Sequence, residues 1–597
     1  MAQLMDLVMS ISKEESRLRS KEQMGGKGLF QPFSSTNSGS RRIMQESQLE
    51  QALQLLNPEV PIIGTGYENR FGDESSSIIK AESDFEVIDK ISKFQTRPND
   101  CYYLITRDLK TGRFGLIERI PYYHTTETYG YLYDYDNTVL DKLDIGYEVK
   151  AGELLRSSKS YDKYQNRCDG VNMLCTYINM DATMEDGILM SESGSRRLGS
   201  PLLKQVQVTL NDNDILLNIM GNGKSFPDIG EEIENGILAA IRREKIEESL
   251  YMQSVDRLSQ LMISDEKYTV SGRVVDINIF SNSPEMLETR HSNKQVLYYY
   301  REHQRVCKEI VDCIAKIRSM YGNIHMTHEL EELWFNSKRE LEGTLFMKEK
   351  SYVGTLIEFF VLEESIPLEG DKCTNRFGGK GIIAKIVPDE QMPILDNGKR
   401  VEVCFNGFTC INRLNWGQLA EVSLTFMGSR ILEHINNTKM HTWEAINMIY
   451  RYIKYVSEDE AEDFYNMLYH EDTTEEDREW YLSRMIDDGF IMLSNKPISE
   501  SINIDTLNEI YKEFPFIEQY SVMTPIADSN GNLRYIPGMR KITAGQMYIY
   551  RLKQYGEEKF SVTSLSSTNI KNENTRSKAA KVHKSPYTDT PIRFGVA

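Results

Sequence analysis

The sequence predicts a multidomain chain of mixed α+β class, and three observations carry that expectation. Short β-rich segments recur from about residue 98; a helical block between about 285 and 345 interrupts them before strands resume; and from about 430 to 520 the chain becomes helical and acidic. A length of 597 residues with 40% hydrophobic content suffices for several packed cores. Strands that stop for a large insertion and then resume describe a discontinuous β domain.

Residues 1–28 read as a lead-in ending in Gly25-Gly26-Lys27-Gly28. Glu46–Leu56 is predicted as a short helix with Leu49, Ala52, Leu53 and Leu56 on one face. Tyr102–Thr106 and Phe114–Ile117 flank Lys110-Thr111-Gly112 as a hairpin. Further strands are expected at Cys175–Met180, Gly187–Ser191, Val206–Leu210, Gly272–Phe280 and Gly354–Leu362. In the helical block Val306, Ile310, Ile314 and Ile317 keep helical spacing, as do Leu330, Leu333 and Leu341. Strands return at Ile382–Val387 and Val401–Phe405, and Ser457–Asp463 and Glu471–Glu479 typify the acidic helical stretch. The tail Lys571–Arg593 carries six Lys or Arg against two acids.

The formal charge of −19, from 89 acidic and 70 basic side chains, argues against indiscriminate nucleic-acid binding. A local basic site is still compatible with it, because charges beyond roughly 8–10 Å are screened. The eight cysteines form no Cys-x-x-Cys pair and no His cluster completes a zinc site, which fits reduced thiols. Met1–Ser12 lacks the features of a signal peptide, and no apolar run approaches the ~20 residues of a membrane span. A soluble intracellular chain without a membrane role is expected.

Four segments carry candidate chemistry. Gly370–Gly381 holds Lys372, Arg376 and Lys380 against one acid, Asp371, with four glycines that let backbone approach a ligand. Such a loop can hold phosphate; its composition alone favours a surface loop with solvated lysines. It is not a Walker motif, and neither is Gly223-Lys224-Ser225, where Asn218 stands in place of the first glycine. Glu185-Asp186, just before an expected strand, can help hold Mg²⁺ or be simply exposed. Arg413, in Asn412–Gln418, can grip phosphate bidentately or form a structural ion pair. Arg41-Arg42, after the Ser/Gly-rich run Ser34–Ser40, reads as an exposed turn or as a phosphate clamp.

Together these segments resemble, in order, the β subunit of cellular RNA polymerases. Lys372 and Lys380 match that family's Gly-Asp-Lys-x-x-x-Arg-x-Gly-x-Lys-Gly loop, continuing through Ile382–Pro388 and Met392-Pro393. Asn406 and Arg413–Glu421 resemble its Asn-Pro-x-x-x-Pro-Ser-Arg-Met-Asn-x-Gly-Gln-x-x-Glu segment, and Met184–Glu192 its Asn-Phe-Glu-Asp-Ala-Ile-x-x-Ser-Glu. Pro32-Phe33, Arg41, Met44, Gln51 and Pro61–Gly66 resemble a further segment. Ala544–Tyr548 is similar to Val-Gly-x-Met-Tyr, and Arg593-Phe594-Gly595 to Gln-Arg-Phe-Gly-Glu. The resemblance covers roughly residues 29–595, loosely around 285–345 and 435–520.

The resemblance implies a double-psi β-barrel interrupted by a flap-like insertion, with helical segments towards the C-terminus. On this basis the chain is expected to hold a lead-in (1–28), an active-centre segment (29–97), the leading barrel segment (98–194), the insertion (195–350), the returning barrel segment with the basic loop (351–434), a mostly helical connector (435–540) and a basic C-terminal segment (541–597). It implies that Lys372 and Lys380 hold phosphates at the RNA 3′ end or of the initiating nucleotide, and that Arg413 and Arg41 contact the β and γ phosphates of the incoming nucleoside triphosphate (NTP). Gln51 would lie beside the RNA, and Glu185 and Asp186 would help place a second Mg²⁺, mainly through water.

The sequence departs from the family pattern in places. Gly407 follows Asn406, Asn412 stands where the family has Ser, and Ser561 where it has His. No Asn-Ala-Asp-Phe-Asp-Gly-Asp motif occurs, and Asp134 and Asp136 are no substitute, so the main Mg²⁺ site is expected on a β′-type partner. The N-terminal β half is also expected from another chain. DNA template, RNA, NTPs and a promoter-specificity subunit complete the expected partners. Splits of this kind resemble the polymerases of giant bacteriophages, which places the chain in host cytoplasm or packaged in a virion. The contrasting readings are a non-catalytic virion scaffold that keeps the fold, and a single-chain polymerase, which the missing aspartates disfavour.

Overall fold

The computed structural model describes residues 26–68, 78–97, 100–124, 132–211, 214–221, 224–233, 236–242, 266–282, 294–343, 346–347, 350–351, 354–470, 473–496, 502–527, 533–553, 560–562 and 592–594. The lead-in up to Gly25, Gly223, Glu557–Lys559, Gly595 and most of the basic tail lie outside them. The chain divides into two units, one of Met1–Phe71, Asp162–Gly199 and Ile366–Ala597, the other of Gly72–Tyr161 and Ser200–Ser365.

In chain order the organising elements are helix α1 (Gly39–Leu49), strands β1 (Val171–Tyr177) and β2 (Gly187–Ser191), helices α2 (Lys294–Tyr321) and α3 (His328–Leu341), strands β3 (Lys372–Asn375), β4 (Gly381–Val387) and β5 (Val403–Phe405), helices α4 (Gly407–Arg413) and α5 (Trp416–Thr438), and strand β6 (Ala544–Arg551). In the first unit six strands close into a barrel in the order β1-β5-β2-β4-β3-β6. The pairs β1–β5 and β2–β4 are parallel, and the other four are antiparallel. Period-two alternation builds its core. Val171, Met173, Cys175, Ile188, Met190, Cys373, Ile383, Val403, Met547 and Ile549 form one buried cluster.

Helix α5 lies against β6, and Gly545 makes that approach possible. A Cβ there would collide with the Val422 carbonyl, while Thr425 Oγ1 donates to the Gln546 carbonyl at 2.8 Å. Leu424, Phe426, Met427 and Ile431 of α5 belong to a second core shared with the later helices. Those helices, Thr442–Val456, Glu458–Leu468, Glu475–Asp488 and Ile504–Glu513, account for the expected helical stretch.

The second unit is built separately. Ser200–Leu210, Thr355–Ser365 and Arg273–Ser281 form an antiparallel three-stranded sheet. Phe85–Ser92, Tyr102–Asp108, Phe114–Arg119 and Glu148–Val149 form a four-stranded one. The expected segment 98–194 therefore spans both units: its strands Tyr102–Asp108 and Phe114–Arg119 belong to this sheet, and the barrel takes only β1 and β2. The Lys110-Thr111-Gly112 turn is closed by Asp108 Oδ1, which accepts from Lys110 N at 2.8 Å and Thr111 N at 2.6 Å, with Gly112 at φ 68°. Val306, Ile310, Ile314 and Ile317 of α2 and Leu330 of α3 pack with Ile91, Ile105 and Phe114 in one core, as their spacing predicts.

One expected helix is displaced. The helix read at Glu46–Leu56 instead runs Gly39–Leu49. Beyond Leu49 the backbone turns to the barrel edge, where Leu53 N donates to the Arg551 carbonyl and Lys553 N to the Gln51 carbonyl, both at 2.9 Å. All eight cysteines are free thiols. Among the described residues no helix is long and apolar enough to cross a membrane.

Candidate functional site

The acidic pair sits in a strained turn leading into β2. Glu185 adopts φ 49°, left-handed for a non-glycine residue. Thr183 Oγ1 accepts from Met180 N at 2.7 Å, and the Asp186 carbonyl accepts from Ile382 N of β4 at 3.0 Å. Gly187 follows because a Cβ would lie 2.5 Å from the Ala182 carbonyl. The tightness of this turn fixes the direction of the two carboxylates relative to β4.

On the other side of β4, the basic loop is shaped by Asn375. Its Oδ1 accepts from Phe377 N and Gly379 N, each at 3.0 Å, and its Nδ2 donates to Gln418 Oε1 at 2.7 Å. Gly378 turns with φ 73°, and a Cβ there would come within 2.7 Å of the Arg41 carbonyl. The loop's charges do not act together. Arg376 is fully buried, donates to the Ile63 carbonyl at 2.5 Å and pairs with Glu421 of α5. Burial works against its charge, but the adjacent Glu421 carboxylate outweighs this and its pKa rises. Asp371 pairs with the equally buried Arg551 at 3.2 Å.

Arg413 is the last residue of α4, a helix begun by Asn406, whose Oδ1 accepts from Phe408 N at 2.9 Å. Its Nη2 donates to Asp186 Oδ2 at 2.5 Å. Arg41 lies in the first turns of α1, so a helix takes the place of the exposed turn, and its Nη1 donates to the Gly378 carbonyl at 3.2 Å. Burial and the neighbouring Arg413 charge lower the Arg41 pKa, with Asp186 opposing them. Two guanidiniums thus crowd around one carboxylate, an arrangement that favours an incoming anion.

Glu185, Asp186, Lys380 and Arg413 line a single cleft, with Tyr177, Phe405, Asn406, Thr409, Asn415 and Gln418 among its other walls. Lys372 and Gln51 lie outside that lining. Lys372 begins β3 opposite Ile382, which on its other side pairs with Gly187, so it stands in line with the acidic turn. Gln51 Oε1 is buried with no hydrogen-bond partner among the described residues. Two adjacent carboxylates fit the outer sphere of a hard cation such as Mg²⁺, but supply too few oxygens for a complete site. Asn375 and the walls Tyr177, Phe405, Thr409 and Asn415 were not anticipated; isolated polar and aromatic residues carry no periodic signal.

Residues 158–485, which include the acidic turn, the basic loop and Arg413, match the family model of RNA polymerase Rpb2, domain 6. The chain belongs to this family. It is similar to the DNA-directed RNA polymerase subunit beta of Clostridium novyi (strain NT), with 24% identity over 409 residues, 68% of this chain and 28% of the relative. The corresponding subunit of Borreliella afzelii (strain PKo) is 26% identical over 423 residues, 68% of this chain and 31% of the relative. That of Streptomyces avermitilis is 23% identical over 405 residues, 67% and 30% respectively. This member of the Rpb2 domain 6 family thus spans less than a third of the length of these curated relatives.

Proposed function

We propose that this chain is a C-terminal β-type subunit of a DNA-dependent RNA polymerase core, inactive alone, that binds substrate phosphates during template-directed phosphodiester formation. Lys372 and Lys380 hold phosphates at the RNA 3′ end, Arg413 and Arg41 hold those of the incoming NTP, and Gln51 lies beside the RNA. Glu185 and Asp186 help place a second Mg²⁺, mainly through water; the catalytic ion belongs to aspartates of a β′-type partner. Mg²⁺ would neutralise developing charge on the transferring phosphoryl group. The closed barrel is read as a double-psi barrel, and residues 195–350 as a flap-like insertion. A β N-terminal-type chain, DNA, RNA and a promoter-specificity subunit complete the assembly.

The observation that carries this reading is the meeting of Lys380, Arg413 and Glu185-Asp186 in one cleft, with Arg41 hydrogen-bonded to the same loop. Phosphoryl transfer depends mainly on positioning and charge neutralisation, which fixed cations around a narrow cleft supply. In the complex purified from its native source, Lys380→Ala should assemble normally yet extend a primer roughly 10–150-fold more slowly, the value of one lost charge-assisted contact. Wild-type extension by a correctly assembled variant refutes the phosphate role. Recovery of the native chain without any β′-like partner refutes the subunit assignment.

A further inference from the structure

The second unit brings together three metal-ligating side chains that the polymerase reading does not use. His303 and Cys307 stand four residues apart on α2 and therefore share a face, and Glu340 reaches them from α3. Their ligand atoms lie within 4.8 Å of one another. Cys307 Sγ is 3.9 Å from His303 Nε2 and 3.3 Å from Glu340 Oε2, while His303 and Glu340 are in direct hydrogen-bond contact. Cys307 is buried and the other two are half-buried. The Phe280 ring meets His303 edge-on at 4.9 Å between centroids, which fixes the imidazole plane.

We infer that His303, Cys307 and Glu340 form a binding site for a borderline-soft divalent cation of the zinc class, tying α2 to α3. Bond lengths of about 2.0–2.3 Å in a tetrahedral shell place the three donors about 3.4–3.6 Å apart. The two sulfur separations already bracket that range, and only the His303–Glu340 contact has to open. Thiolate, imidazole and carboxylate suit zinc rather than Mg²⁺ or Ca²⁺, which take oxygen ligands. One thiolate and one carboxylate neutralise a dication, as a half-buried site requires. The fourth position faces a cavity also lined by Lys93, Tyr103, Asn278 and Asn336, where a water can complete the shell. Binding forms the metal–sulfur bond and releases the thiol proton of Cys307 to solvent. Because the ligand is the thiolate, the apparent affinity should rise with pH.

The test is titration of the purified, metal-stripped full chain with Co²⁺. One equivalent should bind with tetrahedral d–d absorption and a sulfur-to-cobalt charge-transfer band, and one equivalent of Zn²⁺ should erase both. Cys307→Ser should abolish the charge-transfer band, whereas Cys313→Ser, on the same helix but outside the cluster, should keep it. Glu340→Gln should retain the band but weaken binding by more than the roughly 10–100-fold that loss of an outer-shell partner costs. The glutamine variant decides the matter if Cys307→Ser fails to fold by circular dichroism. Absence of stoichiometric uptake, a thiolate band that survives Cys307→Ser, or unchanged affinity in Glu340→Gln overturns the site. Co²⁺ at Glu185-Asp186 would give no thiolate band, so the two sites are distinguishable.

Discussion

Within the basic loop, one arginine and two lysines have parted ways. Arg376 is spent on Glu421 inside the core, while Lys380 lines the cleft. Removing one partner of a buried pair leaves the other charged without solvent, so Arg376→Leu should lower unfolding stability by about 3–5 kcal/mol. Urea denaturation of the purified chain measures this, and a loss below about 1 kcal/mol would mean that Glu421 finds another partner. In the sequence Arg376 is one more cation of the loop. Its partner lies 45 residues away on a helix, a separation at which charge pattern carries no pairing information. Asp371 with Arg551 and His303 with Glu340 escape a linear reading for the same reason.

The elements most legible in the sequence are those with one face to bury. Gly187–Ser191 and Ile382–Val387 form barrel strands as expected, and the spacing of Val306, Ile310, Ile314 and Ile317 gives the buried face of α2. Helix α1 departs from its expected position because its apolar residues continue beyond its end into backbone pairing with the barrel edge. The Tyr102–Arg119 hairpin offers a test of local electrostatics. Hydrogen bonds from Ser83 and the Thr111 backbone hold the Asp108 carboxyl down at about 2. Its folded pKa lies below the unfolded value of about 3.9, so its contribution is complete above that value and fades as pH falls towards 2. Protection of the Lys110 and Thr111 amides, measured relative to intrinsic exchange at each pH, should therefore fall between about pH 4 and 2, and Asp108→Asn should remove that fall.

At the scale of the molecule, a chain of charge −19 brings Lys380 and Arg413 from distant segments to one cleft and ties Arg41 to the same basic loop, so positive charge gathers locally on an otherwise acidic protein. The cleft depends on barrel closure, and closure depends on β6, which pairs with both β1 and β3. A chain ending at residue 540 should lose the barrel while the second unit keeps its fold. Limited proteolysis should then spare fragments from 200–365 and degrade those from 162–199; equal protection of both would show that β6 is dispensable.

The same pairing sets an order of events on the ribosome. β1 and β2 leave the exit tunnel long before residues 372–405 can meet them, and the last stave, Ala544–Arg551, emerges after the other five. Val171–Ser191 must wait as exposed, strand-prone, apolar chain while the intervening residues 200–365 are made and folded. Synthesis of this protein therefore has a vulnerable interval, and holding chaperones should be needed most while the ribosome reads the codons between β2 and β6.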